Sequence, residues 1–395
     1  MARIPLVGVA AQYDTIRDEV ESAVREVLAS GRYILGPKVA EFEGRFAAYC
    51  GAKYAVGTSS GTTALHLALL GVGVGPGDEV ITVPNTFIAT TEAITHCGAR
   101  TVFVDVEPGT MNIDPDAIAE RITQRTKAIV PVHLHGHVVD MDRVLEVARS
   151  HGLKVVEDAA QAHGAEYQGR RAGSLADAAA FSFHPAKVLH AAGDAGIVTT
   201  DDEAVERRVR MLMNHGRSEK YLHEFEGFNF RMAALQAAIL TVKLRHLEAW
   251  IERRRAHAAR YTDLLAHSPV DLPVEAPYAR HVYQVYVIRA DNRDEIASRL
   301  AAAGIESGIH YPVPLHLQPA YARLGYKKGD FPVAEACADR MLSIPMFPEL
   351  ADDEVRRIAE VVAGHAKSTK TGTADERRCR KVEGNRSKIE EEPST

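Results

Sequence analysis

The sequence predicts an α/β protein: a large domain with a mostly parallel seven-stranded sheet between helices, followed by a smaller C-terminal α/β domain. Three observations predict it. Seven short β-type runs alternate with helical stretches between about residues 54 and 200. The runs are near-continuously apolar, as strands buried on both faces are, and lack the alternation of a sheet with one wet face. After a long helical stretch, a strand–helix–strand pattern resumes near the C-terminus, enough for a second lobe.

The runs cover residues 54–60 (YAVGTSS), 78–87 (DEVITVPNTF), 100–106, 127–136 (KAIVPVHLHG), 154–160 (KVVEDAA), 179–184 (AAFSFH) and 196–201. Amphipathic segments such as TTALHLALLGVGV and MDRVLEVARSHG separate them. In such sheets ligands bind outside the carboxyl ends of the strands, so the chemistry is expected where each run stops. Residues 232–268 read as one long helical stretch with a charge-rich second half that leaves the main domain. HVYQVYVIRA, DEIASRLAAAGI and ESGIHYP then read as strand, helix and strand. These features divide the chain into a large domain over 1–245, a small domain over 246–366 and a tail over 367–395. The tail carries eight basic and six acidic side chains with almost no large apolar residue. It cannot bury enough surface to offset the entropy of ordering, and is expected to be disordered.

Bulk properties narrow the function. A chain of 395 residues exceeds one ordinary core. Its hydrophobic fraction of 46% and charged fraction of 25% are those of a globular protein. A net charge of −6 and a pI near 6.3 do not make a nucleic-acid footprint. No stretch approaches a membrane span and no leader pattern opens the chain. Cys50, Cys97, Cys337 and Cys379 are widely spaced, as reduced thiols of a cytoplasmic protein are.

Three strand ends stand out. In VVEDAAQAHGA, Asp158 sits just past an apolar run, with Gln161 and His163 close behind. A carboxylate there needs a cationic partner, because isolated buried charge is costly; alone, Asp158 is equally readable as a helix cap. In FSFHPAKVLHAAGDAG, Ser182 ends a run and Lys187 follows among small apolar residues. Such surroundings lower an amine's pKa and make it a nucleophile towards carbonyls, although a lone lysine is ordinarily a solvated one. In GTSSGTTALHLAL, small and hydroxyl residues lead into a helix whose first amides suit a phosphate. No Gly-Lys-Ser/Thr follows, so this is not a Walker A loop. Together, a phosphate cradle, an acid for a pyridinium nitrogen and a nucleophilic lysine are the parts with which proteins hold pyridoxal phosphate.

These segments resemble the DegT/DnrJ/EryC1/StrS family of sugar aminotransferases, within the fold-type I (aspartate aminotransferase-like) superfamily of pyridoxal-phosphate enzymes. The likeness runs in order from SGRYILGPKVAEFEGRFAAYCGAKYAVGTSSGTTALHLAL through PNTFIATTEAI, EDAAQAHGA, FSFHPAKVL, NHGR and GFNFRMAALQAAIL to HYPVPLHLQPAY and DRMLSIPMFPEL, about residues 8–365. It implies that Lys187 holds pyridoxal 5′-phosphate as a Schiff base and that Asp158 pairs with the pyridine nitrogen. Gln161 matches the amide near the ring hydroxyl and Phe87 the aromatic that stacks on the ring. Gly61, Thr62 and Ser182 match phosphate donors, and Asn229 an asparagine reaching the phosphate from a neighbouring subunit, which implies a homodimer with shared active sites. His215, Arg217, His310, Tyr311 and His316 resemble positions near the sugar nucleotide, with a surface salt bridge the competing reading of Arg217. Gly36, at the ILGP turn, either leaves room for substrate or serves backbone shape alone. The resemblance further implies glutamate or glutamine as amino donor, pyridoxamine phosphate as intermediate and a nucleotide-linked keto-sugar as acceptor. GDAG after the lysine leans towards a 3-keto position.

Two departures touch the substrate. HLHGH places His133, His135 and His137 close together, but no Cys or carboxylate set completes a metal shell, so no metal is expected. His190 stands where family members commonly have glycine and is expected to narrow the pocket. Two rival readings are a sugar dehydratase of the same fold, which has His in place of the lysine, and a non-catalytic binding or regulatory protein, which is expected to lose Lys187 or Asp158. Both residues are present.

Overall fold

The computed structural model describes residues 3–364; the tail expected to be disordered lies outside the described residues. The seven runs form one sheet. In chain order its strands are β1 (Tyr54–Thr58), β2 (Glu79–Thr82), β3 (Arg100–Phe103), β4 (Thr126–Ile129), β5 (Lys154–Asp158), β6 (Ala178–Ser182) and β7 (Gly196–Thr200), and in space β1-β7-β6-β5-β4-β2-β3. The pairings from β6 to β3 are parallel, and β7 runs antiparallel to both β6 and β1. The loop between β6 and β7 returns without a helical crossover, which is why β7 is reversed. That loop carries Lys187 along the carboxyl edge of the parallel strands.

Both sheet faces are covered, as the apolar runs require. On one face Val56, Val80, Val156 and Ala180 pack against α3 (Gly61–Gly71) and α4 (Ala89–His96). On the other, Ile81, Ile129, Ala179 and Phe181 meet α2 (Pro37–Cys50) and α5 (Met141–Ser150), with α1 (Val9–Ser30) further out. α3 begins with a reciprocal capping box between Ser60 and Thr63, which fixes where β1 turns into helix. α6 (Glu203–Leu212) buries one apolar stripe, Val205, Val209 and Leu212, over the first face.

The long helical stretch is two helices, α7 (Ala234–Leu244) and α8 (Leu247–Leu265). The break falls where an all-round buried helix gives way to one that buries a single face. After α8 the chain forms β8 (Tyr286–Arg289), α9 (Arg293–Ala302), α10 (Pro332–Arg340), β9 (Met341–Ile344) and α11 (Asp352–Ala363). Tyr261, Tyr286, Leu300, Leu342 and Ile358 make a separate core, into which the N-terminal Ile4 inserts, whereas α10 packs through Ala334 and Cys337 with a core of the large sheet. The strand expected in ESGIHYP is absent: that segment makes only one bridge, Gly308 to Ser343. The antiparallel partner of β8 is instead β9, from MLSI. ESGIHYP turns away towards the sheet edge and delivers His310 and Tyr311 there. Among the described residues no helix is long and apolar enough to cross a membrane.

Candidate active site

A cavity of about 290 Å³ lies at the carboxyl edge of the sheet. Gly61, Thr62, Phe87, Asp158, Gln161, Ser182, Lys187, His310 and Tyr311 all line it. Strand order explains the convergence: β1, β6 and β5 end in or beside Ser60, Ser182 and Asp158, and the β6–β7 loop crosses between them.

The phosphate-sized corner is made by close approach. A Cβ on Gly61 would lie 2.4 Å from Ser182 Cβ, and one on Gly196 would lie 2.1 Å from the Ser60 carbonyl oxygen. Only glycine lets the start of α3 press against the ends of β6 and β7. The first amides of a helix have no intrahelical acceptor and favour an anion. Ser182 adds a half-buried hydroxyl.

Asp158 is buried, at 5% exposure. Its Oδ2 accepts the Thr90 hydroxyl at 2.7 Å and its Oδ1 accepts the Ala160 amide at 3.2 Å. Burial raises its pKa; Thr90, the Ala160 amide and the nearby Lys187 pull it back down. A carboxylate in this state gains from an N–H⁺ partner. Lys187 is half-buried in a turn closed by its amide on the His184 carbonyl at 2.9 Å. Desolvation lowers its amine to about 8, opposed by the negative charge of Asp158. It is therefore half unprotonated at about pH 8, and near neutrality a far larger share of it is free to act as a nucleophile or base than for a solvated lysine.

Around this pair the polar groups are held in place. Gln161 Oε1 accepts the His135 amide at 2.6 Å, and its Nε2 donates to the Tyr311 hydroxyl at 3.2 Å. The His135 ring donates from Nε2 to the His310 carbonyl at 3.0 Å, and burial keeps that ring neutral with a pKa lowered to about 4. Phe87 is 53% exposed, unusual for phenylalanine, and its ring stands 5.6 Å from that of Tyr311. An aromatic face left open to a cavity suits a stacked planar ligand.

Five expected residues lie outside this cavity. Asn229 is exposed, its Oδ1 accepting from Arg231. His215 and Arg217 belong to the same surface region; Arg217 donates to Asn214 Oδ1 at 2.7 Å and has no carboxylate partner among the described residues. Gly36 has a φ of +85° and nothing within 4 Å of an added Cβ, so backbone angle and not crowding within this chain requires glycine. His316 departs most from expectation: its ring is enclosed, bonded to Glu335 at 3.0 Å and packed on Phe331, with no face towards the cavity. His190 is also displaced from its expected role, since it lies under the lysine loop and does not line the large cavity.

Two groups escaped the sequence reading. Thr90, the donor to Asp158, sits one helical turn after Phe87 in PNTFIATTEAI. Gln284 accepts the Val188 amide at 2.7 Å and donates to the Ala186 carbonyl, bracketing Lys187. Its only signal was an amide within the apolar run HVYQVYV.

A mostly parallel sheet with an amine, a buried carboxyl and a helix N-terminus at one edge defines the fold and pocket of a pyridoxal-phosphate-type transferase. The chain belongs to the DegT/DnrJ/EryC1/StrS aminotransferase family, whose model matches residues 14–363. It is 46% identical to a dTDP-3-amino-3,4,6-trideoxy-alpha-D-glucose transaminase of Streptomyces venezuelae, over 91% of this chain and 95% of that one. It is also 46% identical to a pleiotropic regulatory protein of Geobacillus stearothermophilus, over 91% and 98%. The crystal structure of S. venezuelae DesV in complex with a ketimine intermediate superposes with a TM-score of 0.91 at 46% identity, covering 92% of this chain and 98% of that one. The protein is a sugar aminotransferase.

Proposed function

We propose that this aminotransferase moves an amino group from glutamate or glutamine to the 3-keto position of a nucleotide-linked sugar, using pyridoxal 5′-phosphate held by Lys187, with pyridoxamine phosphate as its other form. The observation that carries the reading is the convergence of Lys187, Asp158 and the α3 N-terminus on one cavity. The 3-position rests on the GDAG sequence and on the 3-amino product named for the S. venezuelae relative.

The residues fit the cofactor. The Gly61 and Thr62 amides and the Ser182 hydroxyl offer donors to a phosphate, Asp158 a counter-charge to a ring N–H⁺, Gln161 an amide near the ring edge, and Phe87 a stacking face. When bound, pyridoxal phosphate supplies an electron sink for the carbon that exchanges its amino group. Lys187 Nζ takes the α-proton of the amino donor. In the second half-reaction it delivers a proton to the former carbonyl carbon of the sugar. Asp158 holds its negative charge against the ring nitrogen throughout. Thr90 and the Ala160 amide hold Asp158.

His310 and Tyr311 are the substrate-side residues supported within one chain. Asn229, His215 and Arg217 share an exposed region outside their own cavity, which supports a homodimer in which they serve a second copy's site. Arg217 then offers a bidentate fork to a diphosphate, with Gly36 a shape-determining turn. The reading carries with it soluble substrates and a cytoplasmic location, without nucleic-acid or membrane partners.

The test is a panel of 3-keto and 4-keto sugar nucleotides with glutamate or glutamine, followed by mass spectrometry. A 3-amino product that requires Lys187 supports the reading. Exclusive 4-amination corrects the position, and no amination of any member rejects the acceptor class.

A further inference from the structure

A second, much smaller cavity lies against the lysine loop. Residues of the N-terminal segment, the Pro185–His190 stretch, α8 and the 347–349 turn enclose about 10 Å³, the room one water requires. The N-terminal segment closes it by passing tightly over the turn: a Cβ on Gly8 would lie 2.3 Å from the Phe347 ring.

Four of the side chains that line this cavity each carry a buried polar atom with no hydrogen-bond partner among the described residues: Gln12 Oε1, His190 Nε2, Arg254 Nε and Glu349 Oε2. Gln12, His190 and Arg254 are only 2%, 4% and 4% exposed. A buried polar atom left without a partner is costly, so four in one place mark a built site. Their polarity states what fits. The His190 Nδ1 lies 3.1 Å from the Lys187 carbonyl oxygen. A carbonyl only accepts, so Nδ1 carries the hydrogen and Nε2 is a bare acceptor. Burial beside the Lys243 and Arg254 cations keeps the ring neutral, with a pKa lowered to about 3. The lining therefore offers three unpartnered acceptors and one donor, Arg254 Nε–H. An anion would meet three lone pairs, and an apolar group would leave all four orphans bare. Water donates twice and accepts from the guanidinium.

We propose that this cavity is a structural water site, and that the water, acting through His190, positions the backbone of Lys187. The functional consequence rests on the reading of Lys187 as the amine of the reaction. The chain of contacts runs from Gln12, the more buried of the two remaining acceptors, and Arg254 through the water to His190 Nε2, and from His190 Nδ1 to the Lys187 carbonyl. Gln284 holds the same stretch from its other side. His190 is thus a positioning residue: it touches Lys187 and does not line the cavity where the reaction is placed.

Three measurements test it on the intact holoprotein. A high-resolution crystal structure should contain one ordered water bonded to His190 Nε2, Arg254 Nε and Gln12 Oε1; density showing no water there overturns the proposal. Hydrogen exchange of the amides of Lys187, Val188 and Ala191, bonded to His184, Gln284 and Phe183, should accelerate about tenfold in His190→Ala, the loss of one hydrogen bond's worth of protection. His190→Asn, whose amide N–H takes the place of Nδ1–H, should restore most of that protection, and failure of this rescue contradicts the positioning role. Gln12→Leu touches the water and not the loop, and so decides the matter even if His190→Ala does not fold. It should lose the water and raise exchange of the same amides; exchange unchanged from wild type overturns the water's part. In turnover, His190→Ala should lower kcat with KM for the sugar unchanged. A wild-type protein without transaminase turnover rejects the functional reading instead, and the density and exchange results still decide the water site.

Discussion

Gln284 grips the chain on both sides of Lys187, its Oε1 accepting the Val188 amide at 2.7 Å and its Nε2 donating to the Ala186 carbonyl. Its own amide donates to the His135 carbonyl at 2.9 Å, which ties the lysine loop to the segment that orients Gln161. Amine and ring-edge amide are thus fixed to one frame. Gln284→Ala should lower kcat/KM roughly 10–100-fold, the usual cost of a reacting group misplaced by about an ångström. Steady-state kinetics check this, with circular dichroism to show that the fold persists; wild-type kinetics would contradict it.

The Thr90 hydroxyl is the shortest support of Asp158, at 2.7 Å. Thr90→Val keeps the side-chain shape and deletes the donor, leaving a buried carboxylate under-bonded at about 1–3 kcal/mol. Cofactor affinity, followed by fluorescence titration, should weaken about tenfold or more. Asp158→Asn removes the charge itself and should lower kcat by at least roughly 100-fold. Equal kcat in Asp158→Asn and wild type would remove Asp158 from the mechanism.

Gly61→Ala places a methyl 2.4 Å from Ser182 Cβ. Both atoms belong to short, packed segments, so the α3 start must move away from β6. Overpacking of this kind costs about 1–3 kcal/mol. The melting temperature should fall, and phosphate-dependent cofactor binding should fall with it. Retained affinity in a folded variant would place the phosphate elsewhere.

Burial lowers the Lys187 amine from 10.5 to about 8. Between these values only the unfolded chain holds the proton, so the unfolded state binds more protons and stability rises with pH across that window. Below 8 both states are protonated, and above 10.5 neither is. Cofactor-free wild type should therefore gain stability relative to Lys187→Met as pH increases from 8 towards 10. Lys243, also lowered to about 8, is common to both proteins and cancels. Denaturation at a series of pH values measures the difference; parallel curves would contradict a desolvated amine.

Seven apolar runs became seven strands because a doubly covered sheet leaves no alternation to misread. Asp158, Ser182 and Lys187 were legible because strand ends in such a sheet collect ligand groups. Gln284 was not, since its partner Val188 is 96 residues away in sequence and nothing local signals that two distant segments meet. ESGIHYP has β-like composition, yet β8 finds its partner in MLSI, a pairing that tertiary packing decides. His316 carries a substrate-like motif around it, but Glu335 and Phe331 claim its ring. Asn229, His215 and Arg217 lie outside the cavity that Lys187 lines, and nothing local in NHGR or GFNFRM signals that separation.

Lys187 is proposed here as the residue that bonds the cofactor. Borohydride reduction of the purified protein, followed by proteolysis and mass spectrometry, reads that bond directly. A reduced pyridoxyl adduct is expected on the peptide carrying Lys187, lost on prior incubation with the amino donor and absent from Lys187→Ala. An adduct on another lysine, or one that persists in Lys187→Ala, would contradict it.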